Sequence, residues 1–277
     1  MMSIFKSKRK VSLVLGSGGA RGLVQIGVIK MLLEKGYIID EIIGCSIGSL
    51  IGAAYAQGKL DDLEEWLKGV TRMKVFQLMD FSNPWFGILK GTKALDSLKL
   101  VFPDIAIEDL PIRYVAIATD LTNECEVVFD KGSVYDAIRA SIAIPAVFTG
   151  VDSEGRYLVD GGVLNPLPIN YVKKKRRNIV VVVNLDGRPN PEFGAVASGG
   201  KYTSVTVLQE AYFAMRRRMS QLSIDMHSPD YVITVPHNTA GIWDYHRTLD
   251  LVEKGMQWTD LLLPDVSSKR DKAGVKL

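Results

Sequence analysis

Cysteine is scarce in this sequence, which contains Cys45 and Cys125 and no others. Two thiols cannot build the disulfide framework of a small secreted domain, and free thiols are typical of a reducing cytosol. The first ten residues are basic, but no apolar core with a small-residue cleavage site follows them, so we expect no secretory signal. A cytoplasmic location is therefore predicted.

Long hydrophobic runs and an excess of one charge are also lacking. The most apolar stretch, residues 42–56, is too short and too rich in glycine and serine to span a bilayer. The sequence has 34 lysines and arginines against 31 aspartates and glutamates, and this near balance argues against a nucleic-acid partner. We interpret the basic clusters at residues 173–177 and 216–218 as solvated faces or helix ends. A hydrophobic content of 47% excludes a disordered chain.

Histidine is scarce as well. The three histidines, His227, His237 and His246, all lie in the last quarter of the chain, and none belongs to a motif. No group of cysteine, histidine and aspartate has metal-ligand spacing, so we expect neither a metal nor a cofactor. A histidine-dependent α/β-hydrolase remains an alternative, because the order serine, aspartate, histidine is available along the chain.

Strand-like and helix-like segments alternate along the chain. The clearest strand is residues 178–185, NIVVVVNL, whose continuous apolar run is typical of a strand covered on both faces. Further strands are predicted at 10–15, 41–44, 112–120, 124–129, 157–159 and 231–235, and helices at 23–35, 47–56, 60–70, 92–102, 134–141, 202–227 and 249–263. The alternation predicts one α/β domain, a three-layer α/β/α sandwich. We assign residues 1–9 to a basic extension, 10–263 to the domain and 264–277 to a charged tail.

The first motif is a glycine-rich loop between a strand and a helix, GSGGARG at residues 16–22. Glycine lets a backbone bend sharply and approach a ligand closely, and the free amides at a helix start attract negative charge. The loop could bind a phosphate or an oxyanion, or it could be a structural tight turn. The match to a nucleotide-binding fingerprint is weak, because no Lys-Ser or Lys-Thr pair follows.

The second motif is GCSIG at residues 44–48, with Ser46 at its centre. It fits a nucleophile elbow, in which a serine occupies a strained strand-to-helix turn and small flanking residues such as Gly44 and Gly48 make room for it. The alternative is a turn serine that caps a helix. The short strand before the motif and the small-residue helix after it favour the elbow.

The third motif is Asp160 followed by Gly161 and Gly162, after a short predicted strand. A serine hydroxyl is a poor nucleophile until a base accepts its proton. An aspartate can be that base if its surroundings raise its pKa and it reaches the serine directly. The two glycines would let the loop come that close. Asp120 and Asp186 also end predicted strands, and a simple turn aspartate is the alternative for Asp160.

Together and in this order, the three motifs resemble the patatin-like phospholipase family. The family pattern is a glycine-rich oxyanion loop with an arginine or lysine, then G-x-S-x-G, then D-G-G or D-G-A. The likeness continues in GILKG, ATDL, RASIAIP and VDGGVLNP at residues 87–91, 118–121, 139–145 and 159–166. It covers roughly residues 10–260 and is strongest toward short bacterial single-domain members. Ser17 is a departure, because many members have glycine there.

The resemblance implies a mostly parallel central sheet and a Ser–Asp dyad without histidine. Ser46 would be the nucleophile and Asp160 the general base. The oxyanion would be held by the backbone amides of Gly18 and Gly19, with Ala20. Supporting roles fall to Gly16, Arg21, Gly22, Gly44, Gly48, Gly161 and Gly162. For the arginine, shaping the loop, attracting a lipid phosphate and forming a structural ion pair are all open.

The activity implied by the resemblance is that of a serine esterase or lipase acting on lipids. It would hydrolyse acyl esters of phospholipids, lysophospholipids or related lipids through an acyl-enzyme, without metal or cofactor. Two alternatives stay open on the same fold. One is a weakly active regulatory protein, and the other is an acyltransferase or thioesterase that uses the same acyl-enzyme.

Residues 75–89 are rich in aromatic and aliphatic side chains and are flanked by Lys74 and Lys90. Tryptophan and phenylalanine favour the membrane interface, and lysines attract anionic head groups. We hypothesise that the part from Phe76 to Leu89 is a flap over the active site that makes peripheral contact with a membrane. The alternative is an irregular segment in the core or at an oligomer interface.

Overall fold

The computed structural model describes residues 9–80, 89–173, 178–193 and 203–266. Of the predicted basic extension only Arg9 falls in these ranges, and of the predicted tail only residues 264–266. Trp85 and Phe86, the interface residues of the predicted flap, lie outside them, as do most of the basic residues at 173–177.

The described residues form eight strands in one sheet. The strands are β1 (Lys10–Leu15), β2 (Ile38–Cys45), β3 (Arg113–Asp120), β4 (Cys125–Phe129), β5 (Val151–Ser153), β6 (Arg156–Asp160), β7 (Asn178–Gly187) and β8 (Tyr231–Pro236). Their order is β5-β6-β3-β2-β1-β7-β8, and β4 also pairs with β3. The five strands β3, β2, β1, β7 and β8 are mutually parallel, while β4, β5 and β6 add antiparallel pairs. The predicted mostly parallel sheet is confirmed.

Helices cover both faces of this sheet. They are α1 (Val24–Glu34), α2 (Ile47–Ala56), α3 (Leu60–Lys68), α4 (Arg72–Leu78), α5 (Thr92–Leu98), α6 (Val134–Ser141), α7 (Ser204–His227) and α8 (Thr248–Leu262). On β1, Leu13 and Leu15 belong to the large core cluster shared with α1, α2 and α8, whereas Val14 belongs to a second cluster against which Ile224 of α7 packs. The three-layer α/β/α prediction is therefore confirmed. None of the helices in the described ranges has the length and apolar sequence that a membrane crossing needs.

Two short elements were not predicted. Helix α4 has no buried residue, so it lacks the periodic apolar face by which a helix is recognised in sequence. Its first turn is instead fixed by Thr71, whose side chain accepts a hydrogen bond from the amide of Lys74. Strand β5 has three residues and lies at the sheet edge, which is too short for a period-2 pattern.

The pairing of β3 decides which strand ends meet. One edge of β3 is occupied by β4 over residues 116–120. Both β2 and β6 must therefore share its other edge, where Cys45 lies opposite Ile117 and Asp160 lies opposite Ala118. Because β2 is parallel and β6 antiparallel to β3, the two strands run toward each other and end at adjacent positions. This arrangement places the residue after Cys45 beside the last residue of β6.

Candidate active site

Ser46 occupies a sharp turn between β2 and α2. Its φ of 55° and ψ of −123° lie outside the regions that non-glycine residues usually adopt, and such strain is typical of functional turns. The turn is tight because Gly44 and Gly48 have no side chains. A Cβ at Gly44 would lie 2.5 Å from the Gly48 carbonyl oxygen, and one at Gly48 would lie 2.7 Å from the Leu15 carbonyl carbon. A side chain at Gly44 would push the start of α2 away from β2, and one at Gly48 would push it away from β1.

The hydroxyl of Ser141, the last residue of α6, holds this turn on the sheet. It accepts a hydrogen bond from the Ser46 amide at 2.8 Å and donates one to the Ile117 carbonyl at 2.7 Å. The Ser46 carbonyl is held in turn by the hydroxyl of Ser49 at 2.6 Å. The sequence interpretation gave Ser141 no role, although it lies in the RASIAIP segment that extended the family likeness. A serine at the end of an otherwise apolar helix face was the signal available.

Asp160 is completely buried where β6 ends. Its amide donates to the Ala143 carbonyl at 2.9 Å, and its Oδ1 accepts from the Gly162 amide at 2.6 Å. Gly161 brings the following loop against the serine turn, since a Cβ there would lie 3.0 Å from the Cys45 sulfur and closer still to the β3 backbone. The two predicted site residues, far apart in sequence, therefore come together through glycine contacts.

The surroundings of Asp160 change its acidity. Burial raises the pKa of its carboxyl, while the charge of Arg216 and hydrogen bonds from Ser46, Gly162 and Ser17 oppose that rise. The second carboxyl oxygen, Oδ2, has no hydrogen bond of full geometry to the described residues. An unpaired oxygen is compatible with a role as a base, because catalytic hydrogen bonds are often long or poorly aligned before a substrate binds. A carboxyl with a raised pKa and one unpaired oxygen can accept a proton.

The glycine loop lies beside the serine turn. Its start is fixed by the Gly16 amide, which donates to the Val183 carbonyl, and by the Ser17 amide, which donates to the Pro166 carbonyl. Its end contacts the turn at Gly22, where a Cβ would lie 2.7 Å from Cγ1 of Ile47. Without a side chain at this glycine, the loop can pack directly on the residue that follows the serine.

The amides of the loop are not equivalent. The Ala20 amide donates to the Ile242 carbonyl at 3.2 Å, so it is already occupied. The amides of Gly18 and Gly19 donate to none of the described residues. Gly19 also has a φ of 58°, a conformation that favours glycine. Of the three predicted oxyanion donors, Gly18 and Gly19 are the two that remain available.

Arg21 is buried, and its guanidinium donates to the Ala240 carbonyl at 3.2 Å. Burial lowers its pKa to about 10, against the attraction of Asp186. The side chain therefore ties the glycine loop to the segment after β8. Because the guanidinium is enclosed by the protein, this contact supports the loop-shaping role among those considered from the sequence.

The other acidic candidates are engaged away from Ser46. Asp120 accepts hydrogen bonds from the amides of Thr122 and Asn123, which makes it a turn aspartate. Asp186 is buried and forms an ion pair with Arg216 at 3.2 Å.

The three histidines also make their described contacts elsewhere. His227 donates from Nδ1 to the Ser223 carbonyl at 2.9 Å, and His237 packs on the Phe213 ring. Nε2 of His246 lies 3.4 Å from Nη2 of Arg72. Among the described contacts none joins a histidine to Ser46 or Asp160. The arrangement therefore favours an aspartate over a histidine as the group beside the serine.

A cavity of about 130 Å³ opens at Ser46 and Gly19. Most of its wall is apolar and is contributed by residues such as Leu50, Leu67, Leu98, Ile144, Phe148 and Trp243. The described ends of the predicted flap also line it, through Val75, Leu78, Met79 and Leu89. The residues that the model describes contain no cluster of three histidine, cysteine or acidic side chains able to hold a metal ion.

The fold and this geometry place the chain among α/β/α proteins with a serine on a strand-to-helix elbow. The family model described as patatin-like phospholipase matches residues 13–173, more than half of the 277 residues. The chain therefore belongs to the patatin-like phospholipase family.

The chain is similar in sequence to parts of several longer proteins. An uncharacterized NTE family protein of Mycobacterium tuberculosis is 44% identical over 181 residues, which are 65% of this chain and 50% of the relative. The mouse patatin-like phospholipase domain-containing protein 7 is 32% identical over 199 residues, 68% of this chain and 15% of the relative. The chain thus spans half or less of these curated relatives. The crystal structure of VipD from Legionella pneumophila aligns with a TM-score of 0.48 and 14% identity, over 93% of this chain and 68% of that one.

Proposed function

We propose that the chain is a serine hydrolase that cleaves acyl esters of phospholipids, lysophospholipids or related lipids. One observation carries the proposal: a buried serine on a strained turn lies beside a buried carboxyl with a raised pKa, at the end of an apolar cavity. Membership of the patatin-like phospholipase family supports the lipid as substrate class. The catalytic pair is Ser46 and Asp160.

The first half of the reaction forms an acyl-enzyme. Ser46 Oγ attacks the acyl carbonyl carbon while Asp160 takes the hydroxyl proton. The carbonyl oxygen becomes an oxyanion that accepts hydrogen bonds from the free amides of Gly18 and Gly19. When the tetrahedral intermediate collapses, the bond to the alcohol breaks, and the leaving oxygen takes the proton from Asp160.

The second half releases the fatty acid. A water molecule attacks the acyl carbon and gives its proton to Asp160, and the same two amides hold the second oxyanion. Collapse of that intermediate breaks the bond to Ser46 Oγ, which recovers the proton. Burial of the carboxyl helps both halves, because a base with a raised pKa binds the proton more strongly than an ordinary aspartate.

The cavity supports an acyl chain as the group bound beside the serine. Its walls are aliphatic and aromatic, so binding there removes apolar surface from water, worth roughly 0.8 kcal/mol for each buried methylene. The polar head group would remain toward the mouth. The proposal therefore assigns specificity for the acyl chain to the helices α2 to α5 and the segment around Trp243.

We also propose peripheral contact with a membrane through α4 and the segment that follows it, at the cytoplasmic side. Met73 is 66% and Phe76 63% exposed, while Val75 and Leu78 of the same helix line the cavity. Exposed apolar side chains next to basic residues such as Lys74 suit an anionic lipid surface. A helix with one face on the cavity and the other toward lipid would pass an acyl chain from the bilayer to the serine.

The catalytic pair is tested with Ser46→Ala, Asp160→Asn and the double variant. Fatty acids released from a mixed lipid extract would be measured by mass spectrometry, with Asp120→Asn as the matched control because asparagine can replace aspartate in its turn. We expect losses of at least about 10³-fold for each single variant. The double variant should be little worse, because the two groups act as one unit.

Near-normal hydrolysis by Asp160→Asn would refute the dyad. Wild-type protein that releases neither fatty acid nor a transacylation product would refute the enzyme and favour a regulatory role. Transfer of the acyl group to an added alcohol in place of water would identify an acyltransferase that uses the same intermediate.

A further inference from the structure

Helix α7 contains three consecutive arginines, and their environments differ. Arg216 is 4% exposed, while Arg218 is exposed. Helical spacing explains this, because Arg216 lies in one row with Ser220, which is also buried, and Ile224, which packs on the sheet. The interpretation of all three arginines as a solvated face is therefore wrong for Arg216.

Arg216 forms hydrogen bonds with Ser17 at the start of the glycine loop. Its Nη1 donates to the Ser17 hydroxyl at 3.1 Å and its Nη2 to the Ser17 carbonyl at 2.7 Å. The guanidinium is oriented by Asp186, 3.2 Å away, which also accepts from the hydroxyl of Ser220 at 3.0 Å. Two hydrogen bonds from α7 thus fix Ser17, the residue directly before the amides of Gly18 and Gly19.

The same guanidinium faces the base. Arg216 Nη1, Asp160 Oδ1 and Ser17 Oγ each lie 2.9 Å from the point where a Cβ of Gly162 would be. The three polar groups therefore converge on one small volume that a glycine leaves empty. Since the Ser17 hydroxyl accepts from Arg216, its own proton is free to point at Asp160.

We propose that Arg216 is a positioning residue for the Ser46–Asp160 pair, acting through the Ser17 hydroxyl. It fixes the position of the glycine loop relative to Asp160, and it supplies the buried positive charge that faces the Asp160 carboxylate. The inference rests on the proposed hydrolase function. It assigns a role to a residue outside the segment that the family model matches, residues 13–173. It also gives Ser17, the departure from the family pattern, the function of a link.

Charge balance around Asp160 supports this role. Burial favours the protonated form of the carboxyl and so raises its pKa, and the charge of Arg216 is the largest influence that opposes this rise. The other ionisable groups that face Asp160 or Arg216 include the Cys45 thiol on β2, Asp186 on β7 and Tyr212 on α7. Arg21 of the glycine loop and His237 after β8 face Arg216 as well. Burial raises the pKa of the thiol well above its ordinary value, so it stays neutral. Asp186 is paired with the guanidinium, and burial lowers the pKa of His237 to about 4, so this histidine is neutral at pH 7. Arg216 is the cation whose charge lowers the pKa of Asp160 and so stabilises the ionised base.

The test compares Arg216→Gln, Arg216→Lys and Ser17→Gly with wild type, and uses Arg218→Gln on the exposed side of α7 as the matched control. The first readout is the pH dependence of kcat for a short soluble ester. The second is the pKa of the Asp160 carboxyl, measured by NMR on protein labelled with ¹³C-aspartate and assigned with Asp160→Asn. The second readout needs no catalysis, so it separates a failure of this inference from a failure of the proposed function.

Loss of a cation within a few ångströms typically raises a carboxyl pKa by about 1–3 units, and each unit lowers the rate about tenfold on the acid side. We expect that shift in Arg216→Gln, a smaller one in Ser17→Gly, and none in Arg218→Gln. Arg216→Lys keeps the charge but loses the two-pronged contact, so the pKa should stay near wild type while kcat falls.

An Asp160 pKa that moves less than about half a unit in Arg216→Gln would overturn the inference. The inference would also be overturned if Arg216→Gln lost the same fraction of its rate at every pH and Arg216→Lys lost as much. A purely structural arginine would behave in that way. If the glutamine variant does not fold, because Asp186 is left unpaired, Ser17→Gly decides by the same criterion. That variant retains the ion pair and removes only the link.

Discussion

Gly22→Ala tests whether packing between the glycine loop and the serine turn sets the site geometry. The added methyl would lie 2.7 Å from Cγ1 of Ile47 and closer still to its Cγ2. Carbon atoms pack best at about 3.5–4.0 Å, so the loop and the turn must separate by roughly 0.8 Å or more. Overpacking of this kind costs about 1–3 kcal/mol of stability. Misplacement by about 1 Å costs on the order of 10² in rate.

The assay is a double-mutant cycle with Ile47→Ala, which removes Cγ1 and Cγ2 and keeps only Cβ, 3.0 Å from the added methyl. Alone, Ile47→Ala should cost about 2–5 kcal/mol, because the side chain is 4% exposed and leaves a cavity. In the double variant the methyl at position 22 occupies part of that space. We therefore expect the double variant to be more stable than the sum of the single effects by about 1–3 kcal/mol. Unfolding in urea measures stability, and hydrolysis of a soluble ester measures the rate.

Two outcomes would contradict this reasoning. If Gly22→Ala is as stable and active as wild type, the loop does not depend on close contact with Ile47. If the effects of the two substitutions simply add, the residues do not compete for the same space. Gly69→Ala is a useful reference for the loss of a glycine in a negative-φ conformation, since a Cβ there meets only the Trp66 carbonyl, at 3.3 Å.

Two further predictions concern pH and lipid binding. Burial raises the pKa of Asp160, and the base must be ionised to act, so the rate of hydrolysis should be highest above that pKa and fall as pH drops through it. Replacing all three histidines with alanine should leave this fall of the rate at low pH unchanged. The folded state holds this proton more tightly than the unfolded state. The free energy of unfolding, relative to that of Asp160→Asn, should therefore rise as pH falls through the pKa of Asp160. A decrease over that pH range would contradict the burial argument. For the proposed flap, changing Trp85 and Phe86 together to alanine should abolish binding to anionic vesicles and preserve hydrolysis of a soluble ester. Unchanged vesicle binding, or loss of both activities together with stability, would instead place these residues in the core.

Much of the fold was predictable because the determinants of its elements are local. The helices Ile47–Ala56 and Val134–Ser141 begin and end at the predicted residues. The apolar run that begins at Asn178 is a central parallel strand, as its continuous hydrophobicity indicated. Other bounds differ by a few residues, as for β2, which begins at Ile38 and not at residue 41.

Burial of polar side chains was less predictable. Arg216 and Ser141 are polar residues whose positions on their helices face the sheet, and both hold parts of the site. A hydrophobic pattern assigns such residues to solvent. The free-energy cost of burying them is offset by hydrogen-bond partners that lie far away in the chain, which the pattern does not show. In the same way, the sequence could not show that the Ala20 amide donates to the carbonyl of Ile242.

The sequence by itself determined the three motifs, their order and the strand-to-helix turns on which they lie, since glycine spacing and hydrophobic periodicity depend on near neighbours. The two glycines after Asp160 and the family resemblance favoured Asp160 as the partner of Ser46, but Asp120 and Asp186 also ended predicted strands and stayed open. Which of the three lies next to the serine was decided by the tertiary structure, because β6 runs antiparallel in a mostly parallel sheet and shares an edge of β3 with β2. That pairing brings Asp160 to the serine through backbone hydrogen bonds between residues distant in sequence, which no local pattern encodes.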